Sequence, residues 1–385
     1  MTVQPRVSPD LDTHRAATST FGQLLENIQE HSISRYPPIA QEIMQAIPQL
    51  RHSLKSQIHV LDEVPPYARV AAVDGSNSKP RSLLLDSYFS YSAAAVFQYF
   101  EGPQPTLPYH TKSYWRCVPG ADLTPRLVEI LRDREELQMI LRATTTQPDL
   151  ILGDGSILAS SLWLARQQEM QQDPRNLQGR RLQLVQQIFN SDFAPNVPDN
   201  LFGQIVQLLV AGSPPLVYIP KNVRSRGIIR SFVPELLEKA PDITDPAILR
   251  FLLRHNEFIG PISYHSTLST GTTHNSVRYI SGDLMVTYYQ AGQPGLHNPL
   301  KVEFHRNQIN RLPRILNTLK FGFNTKAGIP NPLFLADRQA VRSLLDLNAI
   351  IHTARQAALD NCRTPEEMFV IHVLFDLAVP SHSFG

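Results

Sequence analysis

The chain has 385 residues, of which 42% are hydrophobic and only 18% charged, against about 25% charged in an average soluble domain. This composition excludes collagen-like, coiled-coil and wholly disordered architectures, and the length suits roughly two to three domains or one α/β unit with insertions. With 36 basic and 34 acidic residues the formal charge is +2, so nucleic-acid binding, if any, must rest on a local patch.

The 31 prolines, about 8% of the chain against a typical ~5%, punctuate many loops and element ends. Cys117 and Cys362 cannot build a disulfide framework, and neither belongs to a Cys-x-x-Cys pair. A zinc ribbon, a thioredoxin-type site and a disulfide scaffold are excluded, which points to a reducing interior. The polar start MTVQPRVSPDLDTHRAATS lacks the apolar stretch of a secretory signal, and no run reaches the ~18–20 apolar residues of a spanning helix. A soluble, cytoplasmic protein is expected.

From Phe21 to Ile58, apolar residues such as Leu24, Ile28, Ile43, Ile47 and Leu50 recur at largely helical spacings, and Pro37 and Pro38 divide the stretch into two helices. The run Arg69–Val73 reads as a buried strand that stops at Asp74-Gly-Ser. Residues 83–100 carry one or two further strands, and Leu123–Ala143 has a helical pattern. Asp149–Gly153 repeats the strand signature and ends in Asp154-Gly-Ser. A helical stretch, Ile157–Met170, and a polar surface excursion over 170–200 follow. Leu201–Val210 is predicted helical and Pro215–Ile219 a third buried strand. Two more strands are predicted around Leu284–Tyr289 and Leu300–Phe304, and the last long helix over Leu333–Leu359. Strands alternating with helices predict an α/β core, and the early strand cluster a mixed sheet.

Several common motifs are missing. The sequence has no G-x-x-x-x-G-K-[ST], no G-x-G-x-x-G after a strand and no G-x-S-x-G, and its 13 histidines form no zinc spacing. What stands out is the doubled strand-Asp-Gly-Ser of AAVDGS (Ala71–Ser76) and LILGDGS (Leu150–Ser156). Each puts a carboxylate at the C-terminal end of an apolar strand, where α/β sheets open their ligand crevice. The glycine would let the chain turn away at once. Were the two strands neighbours, Asp74 and Asp154 would repel each other unless a cation such as Mg²⁺ or Mn²⁺ intervened. Asp-Gly after a strand is also a common turn, and that reading stays open.

Glu135 and Glu136 lie in the predicted helix before the second of these strands. They suit either a buried edge or a solvated face with ion pairs. Lys221, Arg224 and Arg226 follow the third strand, as a phosphate-binding set or as an ordinary exposed loop. Asp337 lies at the start of the last predicted helix, where an acid is favoured in any case.

In order, AAVDGS, the acidic helix with Glu136, DLILGDGSIL, VYIPKNVRSR, KVEF at Lys301–Phe304 and GIPNPLFLADRQAV at Gly328–Val341 resemble the NurA family of DNA-end-processing nucleases. The likeness runs from about Arg69 to Ile351. It implies an RNase H-like (Piwi-like) mixed sheet flanked by helices, with an N-terminal helical extension over 1–64, a nuclease domain over 65–360 with an insertion around 170–200, and a tail over 361–385. It also implies a Mn²⁺- or Mg²⁺-dependent deoxyribonuclease with two ions, acting 5′ to 3′ on DNA ends and on single strands in repair and end resection. A homodimer and a HerA-type hexameric ATPase are the implied partners. By position, Asp74, Asp154 and Glu136 (or Glu135) become metal ligands, with Asp337 completing the set. Lys221, Arg224 and Arg226 become phosphate contacts, Lys221 with a catalytic role. The family's Tyr and His correspond here to Ile329 and Asp337, and Pro220 replaces a usual Ser. These departures keep two rivals in view: a catalytically degenerate adaptor of a translocating ATPase, and a ribonuclease or structure-specific endonuclease on the same fold.

Overall fold

The computed structural model describes residues 37–77, 81–83, 86–100, 111–119, 125–156, 200–221, 223, 225–263, 283–344 and 347–377. In chain order these form helix α1 (37–53), strands β1 (Ile58–Val60), β2 (Arg69–Asn77), β3 (Arg81–Leu83), β4 (Asp86–Tyr99) and β5 (Thr111–Pro119), then α2 (Pro125–Thr144) and β6 (Leu150–Asp154). Next come α3 (Leu201–Ala211), β7 (Leu216–Ile219), the short α4 (Gly227–Phe232) and α5 (Glu235–Lys239), and α6 (Asp245–Leu252). Strands β8 (Glu257–Ser263), β9 (Leu284–Tyr289) and β10 (Leu300–His305) lead to α7 (Leu312–Phe321), the small hairpin β11 (Phe323–Asn324) and β12 (Ile329–Pro330), and helices α8 (Asn331–Arg342), α9 (Leu347–Asp360) and α10 (Pro365–Leu377).

Ten strands make one sheet in the order β1-β8-β9-β10-β7-β6-β2-β4-β3, with β5 also paired to β4. Strands β2, β6 and β7 run parallel, and the other pairings are antiparallel. An antiparallel meander leading into parallel strands, helices on both faces, is the RNase H-like arrangement that the resemblance implies.

Side-chain alternation divides the core in two. Ala71, Val73, Ile151, Leu216 and Tyr288 face one apolar cluster with Leu137 and Ile140 of α2, Ile205 of α3 and Leu249 of α6. Val70, Ala72, Leu150, Leu152, Val217 and Phe304 face the other, with Ile315 and Leu319 of α7 and Leu333 and Ala336 of α8. Helix α3 is closed by its own sequence: Asn200 accepts from Gly203 N at 2.7 Å, and Gly212 takes the left-handed φ of 60° that ends it. Leu50 of α1 and Leu54 just after it are fully buried in the α2-side cluster. Arg51 adds ion-pair contacts to Glu257 at 2.7 and 2.9 Å, so this part of the N-terminal segment is packed onto the sheet.

Two expectations need correction, and two features lie beyond what the sequence patterns signalled. Strand β2 does not stop at Asp74: its long partner β4 keeps pairing through Gly75↔Ala93 and Asn77↔Tyr91, which holds the chain extended. Residues 111–119 and 257–263 are strands that the apolar pattern did not single out. The helix expected over Leu333–Leu359 is two, because the ladder tightens after Arg342, where Leu344 N donates to Val341 O at 3.0 Å. The tail contains α10. The expected helices before residue 37 and over 157–170, and the 170–200 excursion, lie outside the described residues.

Phe304 is fully buried between the sheet and α7. Phe304→Ala is expected to lower unfolding free energy by about 3–5 kcal/mol in urea titrations. A loss below about 1 kcal/mol would mean that this face is not a packed core.

Candidate active site

Parallel pairing sets the site. With Val73 opposite Gly153 and Asp154 opposite Ile219, the next residues of β2 and β6 put Asp74 beside Asp154, and Lys221 follows two residues beyond Ile219 on β7. All three belong to the alternation that faces α8. That helix lies over β2 and β4, where buried Ser92 donates to Ala340 O at 2.6 Å, and it brings Asp337 down onto the same point.

The Lys221 ammonium is the hub. It donates to Asp74 Oδ2 and to Asp337 Oδ1 at 3.0 Å, and lies 3.3 Å from Asp154 Oδ2. Asp74 is 1% exposed, and its other oxygen accepts from Gly75 N at 2.7 Å. Burial and the neighbouring Asp154 push the Asp74 carboxyl up to about 8, against the pull of Lys221. Burial alone would lower the Lys221 ammonium, but Asp74 and Asp154 outweigh it and hold it above the ordinary lysine value.

Glu136 arrives from the opposite face, on α2. A Cβ on Gly75 would stand 2.2 Å from Glu136 Oε1, so the glycine leaves the space that the carboxylate fills. The positive-φ glycines include Gly155 (φ 82°) but not Gly75, so the two Asp-Gly pairs differ: only the second is a turn. Burial pushes Glu136 well above the usual carboxylate range. Arg132, 3.3 Å away, opposes that shift, and Asp133, Asp74 and Asp154 add to it. Glu135, 3% exposed on the same helix, is not the residue packed against Gly75.

The predicted set thus converges in Asp74, Asp154, Glu136, Asp337 and Lys221. Asp337 falls mid-way along α8 rather than at the start of a long helix. Arg226 precedes α4 and faces Asp242 at 3.8 Å, making none of the contacts that hold the cluster together. Arg224 lies outside the described residues.

A divalent cation suits this donor set on two grounds. A positive charge already sits among three aspartates, and the buried Asp154 Oδ1 meets no hydrogen-bond donor among the described residues. The carboxylates are spaced around the ammonium, so no three acidic, imidazole or thiol groups among the described residues form a ready-closed ligand set. Beside Lys221 opens a groove of about 710 Å³ whose walls include Val223, Leu296, His297, Lys326 and Gly328.

The NurA domain model matches residues 68–342, which include all five clustered residues. The chain belongs to the NurA family. No curated protein matches it in sequence. The NurA nuclease from Sulfolobus solfataricus is similar in structure, with a TM-score of 0.58 at 16% identity over 89% of this chain and 98% of that one. A NurA structure with manganese gives 0.47 at 14% identity over 87% and 99%, and one bound to dAMP and manganese gives 0.45 at 14% over 94% and 100%. The first likeness establishes the fold.

Sequence reasoning missed the space-making role of Gly75, the Arg132 partner of Glu136, and the buried Lys301 and Glu303 of β10. The i,i+4 spacing of Arg132 and Glu136 was a visible signal, as were two charges inside the apolar run LKVEF.

Two outcomes follow from this geometry. Gly75→Ala should displace the flexible Glu136 side chain, leaving the melting temperature within a few degrees while Mn²⁺ affinity falls. Unchanged Mn²⁺ titrations would remove Glu136 from the site. Because Asp74 holds its proton more tightly folded than unfolded, its contribution to stability is present below about pH 4 and lost as pH rises through about 8. In EDTA, Asp74→Asn should therefore gain melting temperature relative to wild type as pH rises from about 4 to about 8. A constant difference between the two proteins would show that Asp74 ionises freely.

Proposed function

We propose that this chain is a metal-dependent deoxyribonuclease that hydrolyses phosphodiester bonds at DNA ends. The observation that carries the reading is the convergence of Asp74, Asp154 and Asp337 on one cation, with Glu136 reaching Gly75 from the other face. Family membership over residues 68–342 and the fold shared with a NurA nuclease support it.

Asp74, Asp154, Glu136 and Asp337 are the proposed holders of Mn²⁺ or Mg²⁺, two ions in all, since hard carboxylate oxygens suit those cations. When bound, such ions supply positive charge at the scissile phosphate and lower the pKa of the attacking water. The protein's own residues do the rest. Burial of Asp74 and Glu136 makes their charges costly, which favours a cation beside them. The Lys221 ammonium, which balances the aspartates here, is proposed to turn to the phosphate when divalent charge replaces it, offsetting charge on the phosphoryl oxygens. Arg224 and Arg226 are proposed as further phosphate contacts. The groove beside Lys221 is the proposed path of the strand, with Lys326 on its wall. Backbone contacts of this kind carry no base code, so cleavage should be sequence-tolerant and binding salt-sensitive.

The finer assignments are 5′ to 3′ exonuclease action with single-strand endonuclease activity, a role in end resection and repair, a homodimer, a HerA-type ATPase partner and a cytoplasmic location. Among the described residues no helix is long and apolar enough to cross a membrane.

On end-labelled linear and circular DNA, the protein is expected to cleave with Mn²⁺ and to stop in EDTA. Asp74→Asn and Asp154→Asn should each lower the rate by at least about a hundredfold with an unchanged circular-dichroism spectrum. Mutants as active as wild type, or activity that survives EDTA, would reject the assignment. Mn²⁺ binding without any cleavage of DNA or RNA would favour the adaptor reading.

A further inference from the structure

Two motif fragments have no part in the reading above: the serine that completes the second Asp-Gly-Ser, and the charged pair inside LKVEF. They touch each other. Ser156 Oγ donates to Glu303 Oε2 at 2.7 Å, and Lys301 Nζ stands 2.7 Å from Glu303 Oε1. Glu303 is fully buried and Lys301 is 7% exposed. A buried ion pair is weak evidence for stability, because desolvating the two charges offsets most of their attraction. Its geometry calls for another explanation.

Register supplies one. Glu303 on β10 lies opposite Tyr218 on β7, and Tyr218 lies opposite Gly153 on β6, so the three share one row across the sheet. Val302 and Phe304 face the α8 side, which leaves Lys301 and Glu303 on the α2 side. The Tyr218 ring packs where a Cβ of Gly153 would be, 2.8 Å away, so that side of β6 is lined tightly. Just past this row, with nothing among the described residues within 4 Å of a Cβ built on Gly155, the chain makes its left-handed turn. The turn starts at Asp154 and its far end is tied to Glu303 through Ser156.

We propose that Glu303 is a positioning residue that acts through the Ser156 hydroxyl to fix the Asp154-Gly155 turn, and so aims the Asp154 carboxylate into the cluster. Lys301, 2.7 Å from the other carboxylate oxygen, holds Glu303 in its orientation inside the core. Glu303 touches neither Lys221 nor the other aspartates by any contact in the cluster. Its effect reaches the metal-binding groups through a hydroxyl and one turn, as outer-shell hydrogen bonds do in metal sites. The inference rests on the metal-site reading of Asp154.

The test is calorimetric titration of the full chain with Mn²⁺, comparing wild type, Ser156→Ala, Ser156→Thr and Asp154→Asn. Ser156→Ala should weaken Mn²⁺ binding about tenfold or more. Its melting temperature in EDTA should stay within a few degrees of wild type. Ser156→Thr, which keeps the hydroxyl, should bind within about twofold of wild type. Wild-type affinity in Ser156→Ala, while Asp154→Asn loses binding, would overturn the positioning role and leave the metal site intact. Equal loss in the alanine and threonine variants would overturn it too, since the hydroxyl would not be what matters. Failure of wild type to bind Mn²⁺ at all would instead overturn the metal-site reading on which it stands.

Discussion

Mutual repulsion among carboxylates is the constraint around which this molecule is arranged. Asp74 and Asp154 emerge side by side from parallel strands because the register of β2 and β6 leaves them no alternative, and α8 adds Asp337. Such a group is tolerable in a buried place only with positive charge at its centre. Lys221, fixed two residues beyond β7, provides it. Burial, and after it the neighbouring Asp154, push the Asp74 carboxyl up even against this ammonium.

The sheet works as a partition through which the site reaches from both sides. Aspartates and Lys221 lie on the α8 face, while Glu136 comes from α2 on the other. A continuous row of side chains would separate them. Gly75, paired with Ala93 of β4, removes one such side chain at the required place. The doubled Asp-Gly of the sequence therefore serves two different physical purposes: room for a carboxylate in the first copy, a left-handed turn in the second.

Much of this was legible in the residues, and the failures have identifiable causes. Short apolar runs ending in Asp located β2 and β6, and the third run located β7, because parallel strands buried on both faces are nearly uniformly apolar. Their adjacency was only a condition in the sequence; the β2–β6 pairing supplies it and with it the meeting of Asp74 and Asp154. The extension of β2 through Gly75 was not legible, since it depends on pairing with β4 far along the chain. The break between α8 and α9 was hidden because apolar spacing continues across it. Glu136 rather than Glu135 could be chosen only once α2 was seen against Gly75. The helical pattern left at least one of the two near the buried edge without saying which, and both are in fact sheltered. Ser156 and Glu303 are 147 residues apart, beyond the reach of any local pattern.

Lys221 links the fold to its proposed chemistry, because the ammonium occupies the place that a stronger cation would claim. Anomalous diffraction from crystals soaked in Mn²⁺ addresses that directly. Manganese is expected among Asp74, Asp154, Glu136 and Asp337, with the Lys221 side chain turned out of its three-carboxylate contact. Manganese bound elsewhere, or a Lys221 ammonium still bridging Asp74, Asp154 and Asp337 at saturating Mn²⁺, would contradict the metal-centred account of this protein.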